Sequence, residues 1–300
     1  MSVVEYSVQN EYDKNPQLTA EDVEEIRKWL KNQLHLPHSY ITDLDIVLAH
    51  HRCGYDIEMT KRVIDLNYTL RTLFTFYSYR QPDKSLERAC HTWLITPLNM
   101  PTLKGYRAVY CHLLDPDVKN FVYSDVVRAF IMIMDLLLYE EGTWPGVAVV
   151  VDMNNVTISH TTGIDLNVAQ EFFYFLQEAM FIQLKEFHFI NAPSFVDKLL
   201  SMLKPIMTLK MLDMIKVHQV GSDSLYRYIS KAALPKEMGG QNKNLATLRD
   251  EIWEKVKANS QFFEEEAKKR VDESKRPGTP MTITSIFPSM ECSFKKLCID

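Results

Sequence analysis

The run Gly146-Val-Ala-Val-Val-Val-Asp152 carries no polar side chain between its ends, so it has no face to turn to water. Such a valine-rich stretch reads as a strand buried on both sides, as in a parallel sheet. Parallel neighbours cannot be joined by tight turns, and each connection must cross over the sheet, usually as a helix. The flanking sequence supplies that alternation. Tyr106 to His112, Glu186 to Ile190 and Lys216 to Val220 read as further strands, while Ser124 to Glu141, Asp165 to Leu184, Ser194 to Ile215 and Ser222 to Lys231 read as helices. The expected class is α/β, with helices layered on a parallel or mixed sheet.

Only helices are expected ahead of this layer. Residues 1–16 are polar and read as a poorly ordered lead-in. Thr19 with Asp22 fits a capping box for a helix running to about Leu34, Ile41 to His51 makes a second, and Asp56 caps a third that reaches about Tyr79. Gln81-Pro82-Asp83 ends that run, because proline lacks the helical donor and restrains the residue before it. A charged helix from Asn244 to Arg270 and an irregular tail follow the layer. The resulting division is a helical domain over 1–95, an α/β domain over 96–245 and a C-terminal helix and tail over 246–300, in a chain long enough to bury a sizeable core.

Composition narrows the function classes. A formal net charge of -5 gives no global attraction to nucleic acid, so no nucleic-acid partner is expected. Met1-Ser-Val-Val-Glu-Tyr lacks the pattern of a secretory signal, and the apolar stretch Val126 to Tyr139 is too short to span a bilayer and is interrupted by Arg128 and Asp135. Cys53, Cys90, Cys111, Cys292 and Cys298 are odd in number and lack CxxC spacing, which argues against a zinc site or a disulfide framework and for a cytoplasmic setting. With nine glycines the chain has neither GxGxxG nor GxxxxGK[ST], and it has neither GxSxG nor HExxH. His50-His51-Arg52 ends a helix, where cations complement the dipole. His188 and His218 on neighbouring strands read either as a metal-ligating pair or as a satisfied core pair, and Asp152 at a strand end reads as a cap or network anchor.

Phe187-His-Phe-Ile-Asn-Ala-Pro193 leads into the methionine-rich segment Ser194 to Ile215. There Val196, Leu199, Leu200, Leu203 and Met207 share one helical face, opposite Ser194, Asp197, Ser201, Lys204 and Thr208. Together with Gly146 to Asp152, Lys204-Pro205 and Leu234-Pro-Lys-Glu-Met-Gly-Gly240, in this order and spacing, these segments resemble the CRAL-TRIO lipid-binding family over roughly residues 18 to 245. Tyr55-Asp56-Ile57-Glu58 is similar to the start of a helix in that family's N-terminal helical module.

The resemblance implies a sheet floor roofed by helices, with an apolar cavity between them and a mobile gate helix, matched here by Ser194 to Ile215. It implies a carrier and not an enzyme: a protein without cofactor or metal that binds one hydrophobic small molecule, such as a retinoid, carotenoid or tocopherol. Such a carrier would exchange its ligand during transient contact with a membrane surface, acting as a monomer. The implied lining is Val126, Ala129, Ile133, Val147, Val149 and Val151, with Phe172, Phe175, Leu176, Met180, Ile182 and Phe187, closed by Val196, Leu199, Leu203 and Met207. Ala129 and Ile133 stand where tocopherol-binding members carry serines. Of the basic positions that hold phosphoinositide headgroups in some members, Lys210 matches, whereas Cys53, Gln183 and Met214 occupy the others. Two alternatives follow: an adaptor of the same fold that has lost its ligand, and a lipid-modifying enzyme, which would need Asp152, His160 and His188 to converge on the cavity.

Overall fold

The structure, a computed structural model, describes residues 2–288. Strand order follows chain order. β1 (Trp93–Pro97) pairs antiparallel with β2 (Arg107–Leu113), and β3 (Val147–Asp152), β4 (Leu184–Ala192) and β5 (Ile215–Gln219) add in parallel. The class is α/β. Register aligns Ile95, Cys111, Val151 and Phe189 across the sheet, and aligns Tyr110, Val150 and His188 one residue away. Because side chains alternate along a strand, these two rows point to opposite faces. β1 arises where no strand is expected, so the layer begins inside the residues assigned to the helical domain.

Around the sheet lie α1 (Val8–Lys14), α2 (Ala20–Lys31), α3 (Asp43–Arg52), α4 (Ile57–Leu73) and α5 (Lys84–Thr92), then α6 (Tyr123–Glu141), α7 (Ile158–Thr162), α8 (Leu166–Tyr174), α9 (Val196–Leu203), α10 (Leu209–Met214), α11 (Leu245–Ala258) and α12 (Ser260–Ala267). Thr19, Asp56 and Asp83 cap the helices that follow them through their side chains, and Thr42 completes a capping box with Asp45. Buried ion pairs join the front helices to α6 and α12. Arg71 meets Glu266 at 2.7 Å, Arg80 meets Asp135 at 2.5 Å, and Lys269 meets Asp45 at 2.7 Å.

Several expected elements are rearranged, each for a local reason. The lead-in is ordered: α1 buries Glu11, whose carboxylate accepts the Thr143 amide at 2.7 Å and the Thr143 hydroxyl at 2.6 Å, while the Tyr6 amide donates to the Tyr139 carbonyl at 2.8 Å. The helix expected over Asp165 to Leu184 leaves α geometry at Phe175 for a π turn through Ala179; Arg52 and Asn67 donate to the carbonyls of Gln177, Glu178, Met180 and Ala179 at its end. The segment Ser194 to Ile215 is not one helix. Pro205 cannot donate in an α-helical ladder, a 3-10 turn covers Lys204–Ile206, and Thr208 caps α10. Ser222 to Lys231 contains only a 3-10 turn at Asp223–Arg227. The charged C-terminal helix breaks at Asn259, whose side chain accepts the Val3 amide at 2.8 Å.

Candidate functional site

Between one face of the sheet and α6, α7, α8 and α9 lies an apolar cavity of about 140 Å3. Ile95, Cys111, Val149, Val151, Phe187 and Phe189 form its floor; Val126, Val127 and Phe130 of α6 and Phe172 and Phe173 of α8 form its walls. Leu199 and Leu203 of α9 close one side, with Met153, Val156, His160, Thr161 and Ile164 around α7 on another. Asn191 sets the path to α9. It adopts a left-handed conformation at φ 49° and donates from Nδ2 to Asp152 Oδ1 at 2.9 Å, fixing the turn that Pro193 then carries away from β4.

Of the sequence-selected residues, Val126, Val149, Val151, Phe172, Phe187, Leu199 and Leu203 meet at this cavity. The remainder do not line it. Ala129 and Ile133 are buried elsewhere on α6; that helix is buried on every side from Val126 to Leu138, so no apolar stripe singles out its cavity face. Val147 is fully buried at the start of β3, Val196 is buried in α9, and Met207 is buried just after the 3-10 turn that follows α9. The π turn redirects the chain after α8: Phe175 and Met180 border a small void of mixed lining beside Arg71, and Leu176 and Ile182 face an outer cleft. Residues missed by sequence include Phe189, reachable from Phe187 by strand parity, and Phe130, one helical turn after Val126. Trp93 and Ile95 came with the unexpected strand.

The opposite face of the sheet is polar. Asp152, fully buried, accepts the Tyr110 hydroxyl at 2.5 Å, Asn191 Nδ2 at 2.9 Å and the Asn154 amide at 3.0 Å, and His112 Nδ1 lies 3.3 Å away. Burial alone would raise the Asp152 carboxyl; the hydrogen bonds outweigh it and hold the group below the usual range. His188 Nδ1 and His218 Nε2 are 3.0 Å apart, with Glu186 3.3 Å from His188 Nε2 and the Ser224 hydroxyl 2.7 Å from His218 Nδ1. Burial pushes His188 down to about 4, and burial also lowers His218. Asp152 and His188 are therefore separated from His160 by the sheet, and the three do not converge. His50 is buried against Thr60 at 2.9 Å, with Asp22 3.5 Å away. Among the described residues no cluster of three or more His, Cys, Asp or Glu is placed to hold a metal ion; Cys53, Cys90 and Cys111 are buried free thiols, and Cys292 and Cys298 lie outside the described residues.

Lys210 lies away from the cavity, on an outer cleft it shares with Arg52, Arg62, Lys185, Met211 and Met214. Arg52 is occupied by the π-turn carbonyls, whereas Arg62, Lys185 and Lys210 have no ion-pair partner among the described residues. No helix among the described residues is long and apolar enough to cross a membrane.

Comparison with known proteins places this geometry. The CRAL/TRIO domain model matches residues 94–240, and the Pinta-like, UBA domain model matches residues 15–85. The Homo sapiens protein named alpha-tocopherol transfer protein-like is 25% identical over 143 residues, covering 46% of this chain and 42% of that protein. Its Mus musculus counterpart is 22% identical over 245 residues, covering 79% and 69%, and Mus musculus clavesin-2 is 20% identical over 233 residues, covering 77% and 71%. The crystal structure of Sfh5 aligns at 11% identity and a TM-score of 0.44, covering 93% of this chain and 99% of that one.

Proposed function

We propose, for a chain that belongs to the CRAL/TRIO family, that the cavity beneath α9 holds one hydrophobic small molecule and that the protein carries it between membranes without making or breaking a bond. The observation that carries this reading is the cavity itself, with Val149, Val151, Phe187 and Phe189 as floor and Leu199 and Leu203 as lid. Burying ~300 Å2 of ligand at ~25 cal/mol per Å2 gives a gross driving force of about 7 kcal/mol, before the entropy costs of binding. The volume of about 140 Å3 lies below the ~300–1,000 Å3 of sites for drug-sized ligands, so a retinoid, carotenoid or tocopherol would have to displace part of the lining. In this reading α9 moves. It is short, it ends at Leu203 just before Pro205, and the segment after it is tied to the π turn through Gln177 Oε1, which accepts the Thr208 amide at 3.1 Å and the Thr208 hydroxyl.

The unpaired Arg62, Lys185 and Lys210 would meet an anionic membrane surface through charge alone, so phosphatidylserine and phosphoinositide vesicles of matched charge should release the ligand equally. The working protein in this reading is a cytoplasmic monomer. Lipid extraction and native mass spectrometry of protein from its natural source test the central claim, and one bound hydrophobic molecule per chain is expected. Empty extracts would favour the ligand-free adaptor. In Val149→Asp, a carboxylate enters a lining that offers no cation, so binding should be lost while circular dichroism still reports a folded chain. Unchanged uptake of an apolar probe by that folded variant would remove the cavity from the mechanism.

A further inference from the structure

The cavity lining is apolar except for a few groups, and one of them is a donor with nowhere to donate. His160 is 2% exposed, and its Nδ1 receives the Thr157 amide at 3.2 Å and lies 2.9 Å from the Thr157 hydroxyl. A main-chain amide can only donate, so Nδ1 is the acceptor and the proton of the neutral ring sits on Nε2. Burial lowers the His160 pKa, against the opposing pull of Asp115, which keeps the ring neutral near pH 7. Nε2 is buried without a hydrogen-bond partner among the described residues.

No other polar group on the lining pairs with Nε2 among the described residues, the Tyr123 hydroxyl and the Trp93 indole included. Thr161 donates its hydroxyl to the Ile158 carbonyl at 2.7 Å, Cys111 is a buried thiol, and the Phe121 ring stands edge-on to the imidazole at 5.5 Å between centroids. The Asp115 carboxylate is engaged by the Asp117 amide and by Asn120 Nδ2. Among the described residues no Lys or Arg lines the cavity.

We propose that His160 is the polar anchor of the cavity, its Nε2–H donating to a neutral oxygen acceptor, carbonyl or hydroxyl, at one end of an otherwise apolar ligand. This rests on the carrier reading above and deepens it by naming the ligand class. A hydrocarbon leaves the buried donor unpaired, and a carboxylate brings a charge into a lining without a cation; both are selected against. The anchor belongs to the α7 end of the cavity, so the apolar body of the ligand extends over the β3 and β4 valine and phenylalanine rows toward α9.

The test uses the full chain and a matched series of long-chain alkane, alkanol, methyl ketone and carboxylic acid, each displacing the hydrocarbon fluorophore diphenylhexatriene. The ketone and alcohol should bind roughly tenfold tighter than the alkane, the discrimination expected of one buried hydrogen bond. His160→Asn keeps an acceptor for the Thr157 amide but places no N–H where Nε2 stood; it should erase that preference, read as the ratio of ketone to alkane affinity within the variant. His160→Gln, which restores a donor at the Nε2 position, should recover part of the preference. The Nε2–H proton of the wild-type chain should move downfield when ketone binds and stay still with alkane. Full preference in a His160→Asn variant that binds diphenylhexatriene normally would overturn the anchor while leaving the carrier standing. Failure of the wild-type chain to bind any member of the series or the fluorophore would bring down the carrier reading, and the anchor with it.

Discussion

The two faces of the sheet are built from the same strands and do opposite work. On the cavity side, Cys111, Val151 and Phe189 make an apolar row left partly uncovered by protein, roofed in part by α9, a helix that ends at Leu203 just before Pro205. On the other side, Tyr110, Asp152 and His188 feed two buried hydrogen-bonded networks, and Asn191 and the Ser224 turn are tied into them. An apolar contact can part and re-form over any apolar partner, whereas a buried polar network tolerates one arrangement. The contrast makes the cavity face the one expected to move in the proposed carrier, and the polar face the one expected to stay fixed.

The largest expected effect falls on the rigid face. Asp152→Ala leaves Tyr110, Asn191 and the Asn154 amide without their shared acceptor, and should cost about 3–5 kcal/mol of unfolding free energy in urea titration. Asn191, which sets the turn toward α9, loses its tether in the same step. A loss below about 1 kcal/mol would mean that the network is loose and that the two faces do not differ as described.

The second effect is a pH dependence from His188, which faces Glu186, His218, Lys216 and the Tyr228 ring. Its pKa falls from 6.5 to about 4 on folding, chiefly through burial, with Glu186 opposing. The unfolded chain thus binds the proton more readily, so this contribution to stability is intact above pH 6.5 and is lost as pH falls from 6.5 toward 4. At about 1.4 kcal/mol per pH unit between the two values, the loss reaches up to roughly 3 kcal/mol. Thermal melts of wild type and His188→Gln across that window check it: the variant should show the shallower slope, and parallel curves would assign the acid sensitivity elsewhere.

How far this division could be read from sequence depends on what set each feature. The valine run of β3 and the alternation Phe187-His188-Phe189 displayed the sheet and its two chemistries directly, because strand parity is strict. The α6 wall was opaque, since Val126 through Leu138 is buried on every side and nothing local distinguishes Phe130 from Ile133. The π turn at Phe175–Ala179 depends on Arg52 and Asn67, which are more than a hundred residues away in the chain, and no local pattern announces such a partner. The same holds for α1, ordered by Glu11 reaching Thr143. His160 was visible only as a histidine. Its importance came from the Thr157 contacts that leave Nε2 alone at an apolar wall.

The smallest effect on global stability is expected at α9, and it tests the mobile side of the comparison. Leu199 and Leu203 are buried, but each borders the cavity, so truncation removes fewer contacts than in a packed core and enlarges a void already present. Leu199→Ala with Leu203→Ala should therefore lower unfolding free energy by less than the ~2–5 kcal/mol that each would cost in a packed core, while ligand release accelerates severalfold. Hydrogen exchange separates a lid from a wall more directly. Amides of α9 and α10 should exchange through local opening, ahead of those in β3, because Pro205 interrupts the ladder and Thr208 is tied to the π turn through one glutamine side chain. The covering segment on the far face, at Asp223–Arg227, is held through Ser224 and His218 and should exchange more slowly than α9. Ligand should slow exchange in α9 and leave that segment unchanged. Equal protection of α9 and β3, with and without ligand, would make α9 ordinary core and leave the proposed carrier without a door.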